Sequence, residues 1–281
     1  MKTALITGAN TGMGYATTVA LAKQNMRVVM LCRSRERGEE ARKKAVSESG
    51  SQTIALHIVD LSSFKSIREA AEQLKVLYPV IDIMINNAGV VTTKKEYTKD
   101  GFEKMMGVNY LGHFLLTNLL LPNMEAADAG RIVVVSSGAY KFSPLYLDDF
   151  NSDQRFSIWK NYGRSKLANL LFARELARRL SRTNVTVNAL HPGAVATSLG
   201  VNRDTGFGKS ITALLKPFFR SAEKGAETAV YLATSEEVKD ITGEYFYNKK
   251  IKATKGEANN LELAEQLWQK SEVYTELATK A

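Results

Sequence analysis

Tyr162 and Lys166 stand one helical turn apart, so a phenol and an ammonium share one helix face and together make an acid poised for proton transfer. Alone, a YxxxK spacing is commonplace. Here it follows Ser137, and the chain opens with Thr7-Gly8-Ala9-Asn10-Thr11-Gly12-Met13-Gly14 directly after an apolar strand. Hydride transfer to a carbonyl builds negative charge on oxygen, which calls for a proton donor well below a free phenol's pKa of about 10. Lys166 is expected to supply that shift, and Ser137, at the end of a strand, to hold the substrate oxygen beside the phenol. Each residue also has a plain structural use: Ser137 as a cap, Tyr162 as an amphipathic helix residue, Lys166 as a solvated charge. Their conjunction favours the catalytic reading.

A strand-to-helix turn carrying Gly8, Gly12 and Gly14 lets backbone approach a pyrophosphate, and the helix start offers unpaired N–H groups. Asn10 and Thr11 are placed to cap that helix, with Met13 inside its first turn. The second strand ends Leu31-Cys32-Arg33-Ser34, without the acid that would hold ribose hydroxyls. Arg33, with Arg35 or Arg37 nearby, suits a 2′-phosphate, so NADP(H) is expected in preference to NAD(H). Asp60-Leu61 ends the third strand, where Asp60 either meets an adenine amino group or caps the helix beginning near Ser63. Asn86-Asn87-Ala88-Gly89 ends the fourth, with Asn87, Ala88 and Gly89 small enough to line a cofactor.

These residues need a scaffold, and the hydrophobic pattern supplies one. Strands are expected near residues 4–6, 27–31, 54–59, 81–85, 131–135, 186–190 and 244–247, with helical periodicity between them. That rhythm gives an α/β fold with a doubly wound parallel sheet of Rossmann type, the ligand crevice lying at the carboxyl ends of the strands. No linker or repeat divides residues 1–281, so a single domain is expected. Residues 198–220 carry Leu199, Phe207, Ile211, Leu214, Leu215 and Phe218 and read as an apolar lid over a lipophilic carbonyl or alcohol. Tyr140 and Phe142 are candidate aromatic walls. Residues 259–278 read as an amphipathic terminal helix that docks on its own core rather than on a membrane.

The net charge of +9 is spread over several segments with no nucleic-acid motif, so the basic residues are assigned to solvated faces and no nucleic-acid partner is expected. Cys32 is the only cysteine and the three histidines, His57, His113 and His191, lack ligand spacing, so no metal site is expected. There is no integral membrane segment in the pattern and no room for a signal peptide before the first strand, which gives an expected cytoplasmic location.

The motif set from TGANTGMG through NNAG, Ser137 and YGRSK to HPGAVAT resembles that of short-chain dehydrogenases/reductases over nearly the whole chain. The resemblance implies that Asn109 completes a tetrad with Ser137, Tyr162 and Lys166, kinking a helix and anchoring a water in a proton relay through Lys166. From its position alone, Asn109 reads equally as an N-cap. The resemblance further implies that Pro192, Gly193, Val195 and Thr197 form the loop facing the nicotinamide. The long interval from Ser137 to Tyr162, the SKLANLLFARELARRL run and the SAEKGAETAVYLAT segment with its Trp268-bearing terminal helix look most like the branch of retinol dehydrogenases and WW-domain oxidoreductases. Many members of that branch begin with a membrane anchor, which this pattern lacks. Family members often pair through helices like those around 109–121 and 163–180, implying a homo-oligomer unless the long loop or terminal helix covers those faces. Three functions compete: a carbonyl reductase or alcohol dehydrogenase, which is preferred, a cofactor-binding regulator with little turnover, and an enoyl reductase or epimerase on the same fold.

Overall fold

The computed structural model describes residues 1–154, 156–193 and 221–277. Its first half alternates strand and helix: β1 (Thr3–Thr7), α1 (Gly12–Ala22), β2 (Arg27–Cys32), α2 (Arg35–Ser49), β3 (Ile54–Ile58), α3 (Phe64–Leu77) and β4 (Ile83–Asn86). A short α4 (Lys104–Met106) runs through a π-helical turn (Gly107–Leu111) into α5 (Gly112–Glu125), followed by β5 (Gly130–Val135), α6 (Ile158–Arg179) and β6 (Val185–Leu190). After the undescribed segment come α7 (Ala222–Thr234), β7 (Tyr245–Tyr247), β8 (Lys250–Ile251) and α8 (Leu261–Tyr274).

The strands form one sheet in the order β3-β2-β1-β4-β5-β6-β7-β8. All neighbours are parallel except β8, which returns antiparallel to β7. Every residue of β1, β4 and β5 is buried, as strands covered by helices on both faces must be. Side chains alternate between the faces. Ile132 and Val134 join the core under α3, α5, α6 and α8, while Val133 and Val135 join the core under α1, α2 and α7. The order reverses between β1 and β4, so the loops after those strands diverge and leave the crevice in which the candidate site lies.

The expected strand pattern matches this sheet to within two residues at each end; the two-residue β8 is an addition. The lid expectation, with Leu199, Phe207, Ile211, Leu214, Leu215 and Phe218, lies outside the described residues. The terminal helix docks on its own core. Asn260 caps it by accepting from the Leu263 amide at 3.0 Å, and Leu267 and Trp268 are buried. The Trp268 ring meets Phe114 of α5 edge-on at 4.8 Å, the Arg179 guanidinium lies 4.3 Å over it, and Tyr110 Oη and Ser271 Oγ are 2.6 Å apart. The helix therefore covers part of the α5 and α6 surface. No helix among the described residues is long and apolar enough to cross a membrane.

Candidate active site

The nucleotide end is built mainly from backbone. Gly8 and Gly12 have φ of 64° and 55°, the left-handed region that favours glycine, and they fold the β1–α1 turn tightly enough to bring Gly14 under it. A Cβ on Gly14 would lie 2.4 Å from Asn87 Nδ2 and 2.5 Å from Gly8 O. Asn87 closes the same contact from the β4 side, donating through Nδ2 to Thr7 O at 2.7 Å. Thr11 is the N-cap residue of α1 but accepts no bond through its side chain, so the first-turn N–H groups have no side-chain cap. Donors of this kind beside a close backbone approach fit a pyrophosphate.

A cavity of about 300 Å³ opens above this turn, lined by residues that include Asn10, Thr11, Gly12, Arg37 and Lys44. Arg33 is exposed at the end of β2, and Cys32 is buried behind it, its thiol pushed up to about 11 by burial, against the opposing pull of hydrogen bonds from the Ala9 and Asn10 backbone. Met13 and Leu61 are buried. Asp60 is not the cap of α3; Ser63 is, accepting from Ser66 N at 3.3 Å. The Asp60 carboxylate instead accepts from Ser62 N and Oγ and pairs with Lys99 Nζ at 3.1 Å. Burial works to raise its pKa, but these partners outweigh it and hold the carboxyl below its ordinary value.

The chemistry end is built from side chains at the carboxyl end of β5, with Asn109 and Lys166 buried and Ser137 and Tyr162 half-buried. Ser137 follows that strand and caps a 3₁₀ turn over Gly138–Phe142, accepting from Ala139 N at 3.2 Å. Tyr162 and Lys166 project from α6, and the Lys166 ammonium lies 5.6 Å from the centre of the phenol ring. Lys166 is 3% exposed and donates to Val135 O at 3.1 Å, a carbonyl that Asn169 Nδ2 also reaches at 3.1 Å. Ser136 Oγ ties the strand to the helix by donating to Lys166 O at 2.7 Å. Asn109 is fully buried inside the π-helical turn rather than at a helix start: its Oδ1 accepts from Val90 N at 2.7 Å, and its Nδ2 donates to Val90 O and Ser165 Oγ, both at 3.0 Å. A Cβ on Gly89 would stand 3.6 Å from both Asn109 Oδ1 and Lys166 Nζ, so the strand end after β4 meets both side chains.

The electrostatics depart from the expected acidification. Burial raises the Tyr162 phenol above its ordinary value, and the opposing pull is the Ser137 hydrogen bond rather than Lys166. Burial also pushes Lys166 down to about 8. The ammonium sits behind the ring, engaged with backbone, so in the protein by itself it does not offset what the phenol loses on leaving water.

Pro192 and Gly193 follow β6, Gly193 with φ of 87° and its amide donating to His191 Nδ1 at 3.1 Å. Val195 and Thr197 lie outside the described residues. Tyr140 is buried edge-on against Tyr245, which removes it as a wall, whereas Phe142 is 56% exposed. Three participants escaped the sequence reading. Arg164, inside the YGRSK motif, is buried and donates to Tyr146 O and Asp149 O at 3.0 and 2.6 Å and to Ser152 Oγ, pinning the long Ser137–Tyr162 interval. Thr7 and His113 link the two ends of the crevice: Thr7 Oγ1 is 2.8 Å from His113 Nε2, and His113 Nδ1 is 3.0 Å from Asn109 O. The available signal for His113 was its place four residues after Asn109, one turn along the same helix.

Comparison with known proteins agrees with this architecture. Residues 2–208 match the family described as short chain dehydrogenase. Human retinol dehydrogenase 14 is 43% identical over 293 aligned positions, spanning 97% of this chain and 85% of that one. Human retinol dehydrogenase 13 is 42% identical, spanning 96% and 83%. Among solved structures, an uncharacterised protein from Mycobacterium paratuberculosis has a TM-score of 0.78 at 31% identity, covering 98% of this chain and 94% of that one. A Shigella flexneri short chain dehydrogenase, crystallised with NADP, shares the fold with a TM-score of 0.69 at 22% identity over 87% of this chain and 95% of its own. With a family match over most of its length and relatives above 40% identity, the chain belongs to the short-chain dehydrogenase family and is an oxidoreductase of the alcohol–carbonyl class.

Proposed function

We propose that this chain is an NADP(H)-dependent reductase or dehydrogenase of a lipophilic aldehyde, ketone or secondary alcohol, with Tyr162 as its acid/base. The observation that carries the reading is the placement of Ser137 and Tyr162 together at the carboxyl end of β5, with the Lys166 ammonium behind the ring and Asn109 beyond it. Gly8, Asn10, Thr11, Gly12, Met13 and Gly14 would hold the dinucleotide's pyrophosphate, and Asn87, Ala88, Gly89, Pro192, Gly193, Val195 and Thr197 the rest of its length. When bound, the nicotinamide supplies or accepts the hydride. Ser137 then donates a hydrogen bond to the substrate oxygen, and Tyr162 gives that oxygen its proton in reduction or removes it in oxidation.

A phenol raised by burial suits the reductive direction, because it stays protonated at neutral pH. The oxidative direction needs phenolate and is expected to gain with pH. Lys166 and Asn109 hold the path by which the proton is replaced. Arg33, together with Arg37 at the cavity rim, supports NADP(H) over NAD(H), since no acid stands at the end of β2 to hold ribose hydroxyls. The likeness to proteins named retinol dehydrogenase places retinoids among the lipophilic substrates to try. We place the enzyme in the cytoplasm.

The test is cofactor consumption with NADPH and NADH across aliphatic, aromatic and retinoid carbonyls, run beside Tyr162→Phe. That variant is expected to bind NADPH normally and to lose on the order of 10²–10⁴-fold in kcat. Retention of most activity by Tyr162→Phe would remove the acid/base assignment. Tight NADPH binding with no oxidation by any carbonyl would instead favour a cofactor-binding regulator, and reduction of conjugated double bonds alone an enoyl reductase.

A further inference from the structure

We propose that His113 is a positioning residue that ties the Thr7 hydroxyl of the nucleotide turn to the backbone carbonyl of Asn109, so that the two ends of the cleft share one rigid link. The proposal rests on the reading of Asn109 as part of the proton path. It starts from a count of donors and acceptors. Thr7 Oγ1 accepts from the Asn87 and Ala88 amides, each at 2.9 Å, which fills both its lone pairs and leaves its hydrogen to give. Two acceptors are in range: His113 Nε2 at 2.8 Å and Ile85 O at 3.4 Å, and the ring nitrogen is the nearer. On the other side, Asn109 O can only accept, so His113 Nδ1 must carry the proton. The ring is therefore neutral, protonated on Nδ1, and reads donor to one end and acceptor from the other.

Burial agrees with that assignment. His113 is 1% exposed, and removal from water, with the Lys166 charge adding to it, pushes its pKa down to about 4. A second proton on Nε2 would face an oxygen whose lone pairs are already taken. The link also sits where the helix changes register: the Gly112 amide donates to Gly107 O, five residues back. One turn further along α5, Thr117 Oγ1 accepts from Asn86 Nδ2 at 2.8 Å, so the same helix face holds the β4 end at a second point. Thr7, at the end of β1, and Asn87 and Ala88, just after β4, lie at the nucleotide end of the cleft, whereas Asn109 belongs, in the proposed reading, to the proton path. His113 joins them through one aromatic ring with no rotatable bond between its two nitrogens.

Two conservative variants separate the halves of the link, because an Asn side chain places its amide near the His Nδ1 position and a Gln side chain near Nε2. His113→Asn keeps the donor to Asn109 O and loses the Thr7 contact; His113→Gln does the reverse. For His113→Asn we expect about tenfold weaker NADPH binding with kcat within about threefold of wild type. For His113→Gln we expect near-normal NADPH binding with about tenfold lower kcat. Hydrogen exchange supplies a readout that needs no turnover: the Asn87 and Ala88 amides should exchange faster in His113→Asn, and the Val90 amide, bonded to Asn109 Oδ1, faster in His113→Gln. Equal loss of both parameters in both variants, or amide exchange that speeds up everywhere alike, would show a merely structural histidine and overturn the proposal. If wild type turned over no substrate, the function reading would fail, and the amide pattern would still decide the link.

Discussion

The two ends of the cleft are held by different means. At the nucleotide end the working groups are backbone: two glycines with positive φ, a first helical turn with no side-chain cap, and a glycine in contact with the opposite strand end. At the other end they are side chains sunk into the fold. Asn109 and Lys166 are nearly inaccessible and each is tied by hydrogen bonds, while the charges that would do the chemistry are shifted by loss of water. A backbone site is set by shape and fails when atoms collide. A buried side-chain site is set by electrostatics and fails, or relaxes, with pH. That difference decides which changes each end tolerates.

The sharpest way to break the first end is Gly14→Ala. Its added methyl would stand 2.5 Å from the Gly8 carbonyl oxygen, which is backbone and cannot rotate away, and 2.4 Å from Asn87 Nδ2. Overpacking of this kind costs about 3 kcal/mol, and because the strain falls on the turn itself, NADPH binding should weaken by more than about 100-fold. Denaturant unfolding and cofactor titration read the two effects separately. Unchanged binding in a folded Gly14→Ala protein would mean that the close approach plays no part in holding the dinucleotide.

The same contrast explains what the sequence could tell. Glycine spacing after an apolar strand is local, so the β1–α1 turn was legible from Gly8, Gly12 and Gly14, and the alternating apolar runs placed seven of the strands. Tyr162 and Lys166 were legible as a pair because α6 is regular. What they do to one another was not, since that depends on Val135 O taking the ammonium's hydrogen bond and on burial raising the phenol, both products of long-range packing. Asn109 looked equally like a cap until the π-helical turn placed it inside a helix. Arg164 and His113 stayed hidden for a related reason: the Arg164 partner Ser152 lies 12 residues away in an irregular segment, and the Thr7 that faces His113 lies 106 residues away along the chain. For Asp60 the sequence offered two uses, an adenine contact or a cap of α3, and the structure removes only the second, since Ser63 is the cap.

Lys166→Met sharpens the electrostatic side. In the unfolded chain this lysine titrates near 10.4, whereas in the fold burial has pushed it down to about 8. Between those two values the unfolded state binds the extra proton, so wild-type stability should climb as pH rises from 8 toward 10.4, by about 3 kcal/mol in all. Below pH 8 the whole cost of the buried ammonium is present. Lys166→Met lacks the group, so its stability relative to wild type should be most favourable near pH 7 and should fall by that amount at pH 10.4. Parallel stability curves for the two proteins over this range would mean that the ammonium is not desolvated as the structure places it.

The smallest effect concerns how the backbone end acquires selectivity. In the proposed reading, the N–H groups of α1 that lack a side-chain cap would serve a pyrophosphate that both nicotinamide dinucleotides carry, so any preference would come from side chains added at its rim. Arg33 is exposed at the end of β2, and Arg37 lines the adjoining cavity one turn further on. Both are solvated, so each charge is screened and a single substitution should be modest. We expect Arg33→Ala to weaken NADPH about tenfold and NADH less than about twofold, with Arg37→Ala acting in the same direction to a smaller extent. Fluorescence titration of each cofactor against each variant measures the ratio directly. If Arg33→Ala lowered both affinities by the same factor, the arginine would be reading the shared pyrophosphate, and the division between a backbone that binds and side chains that select would not hold at this end of the cleft.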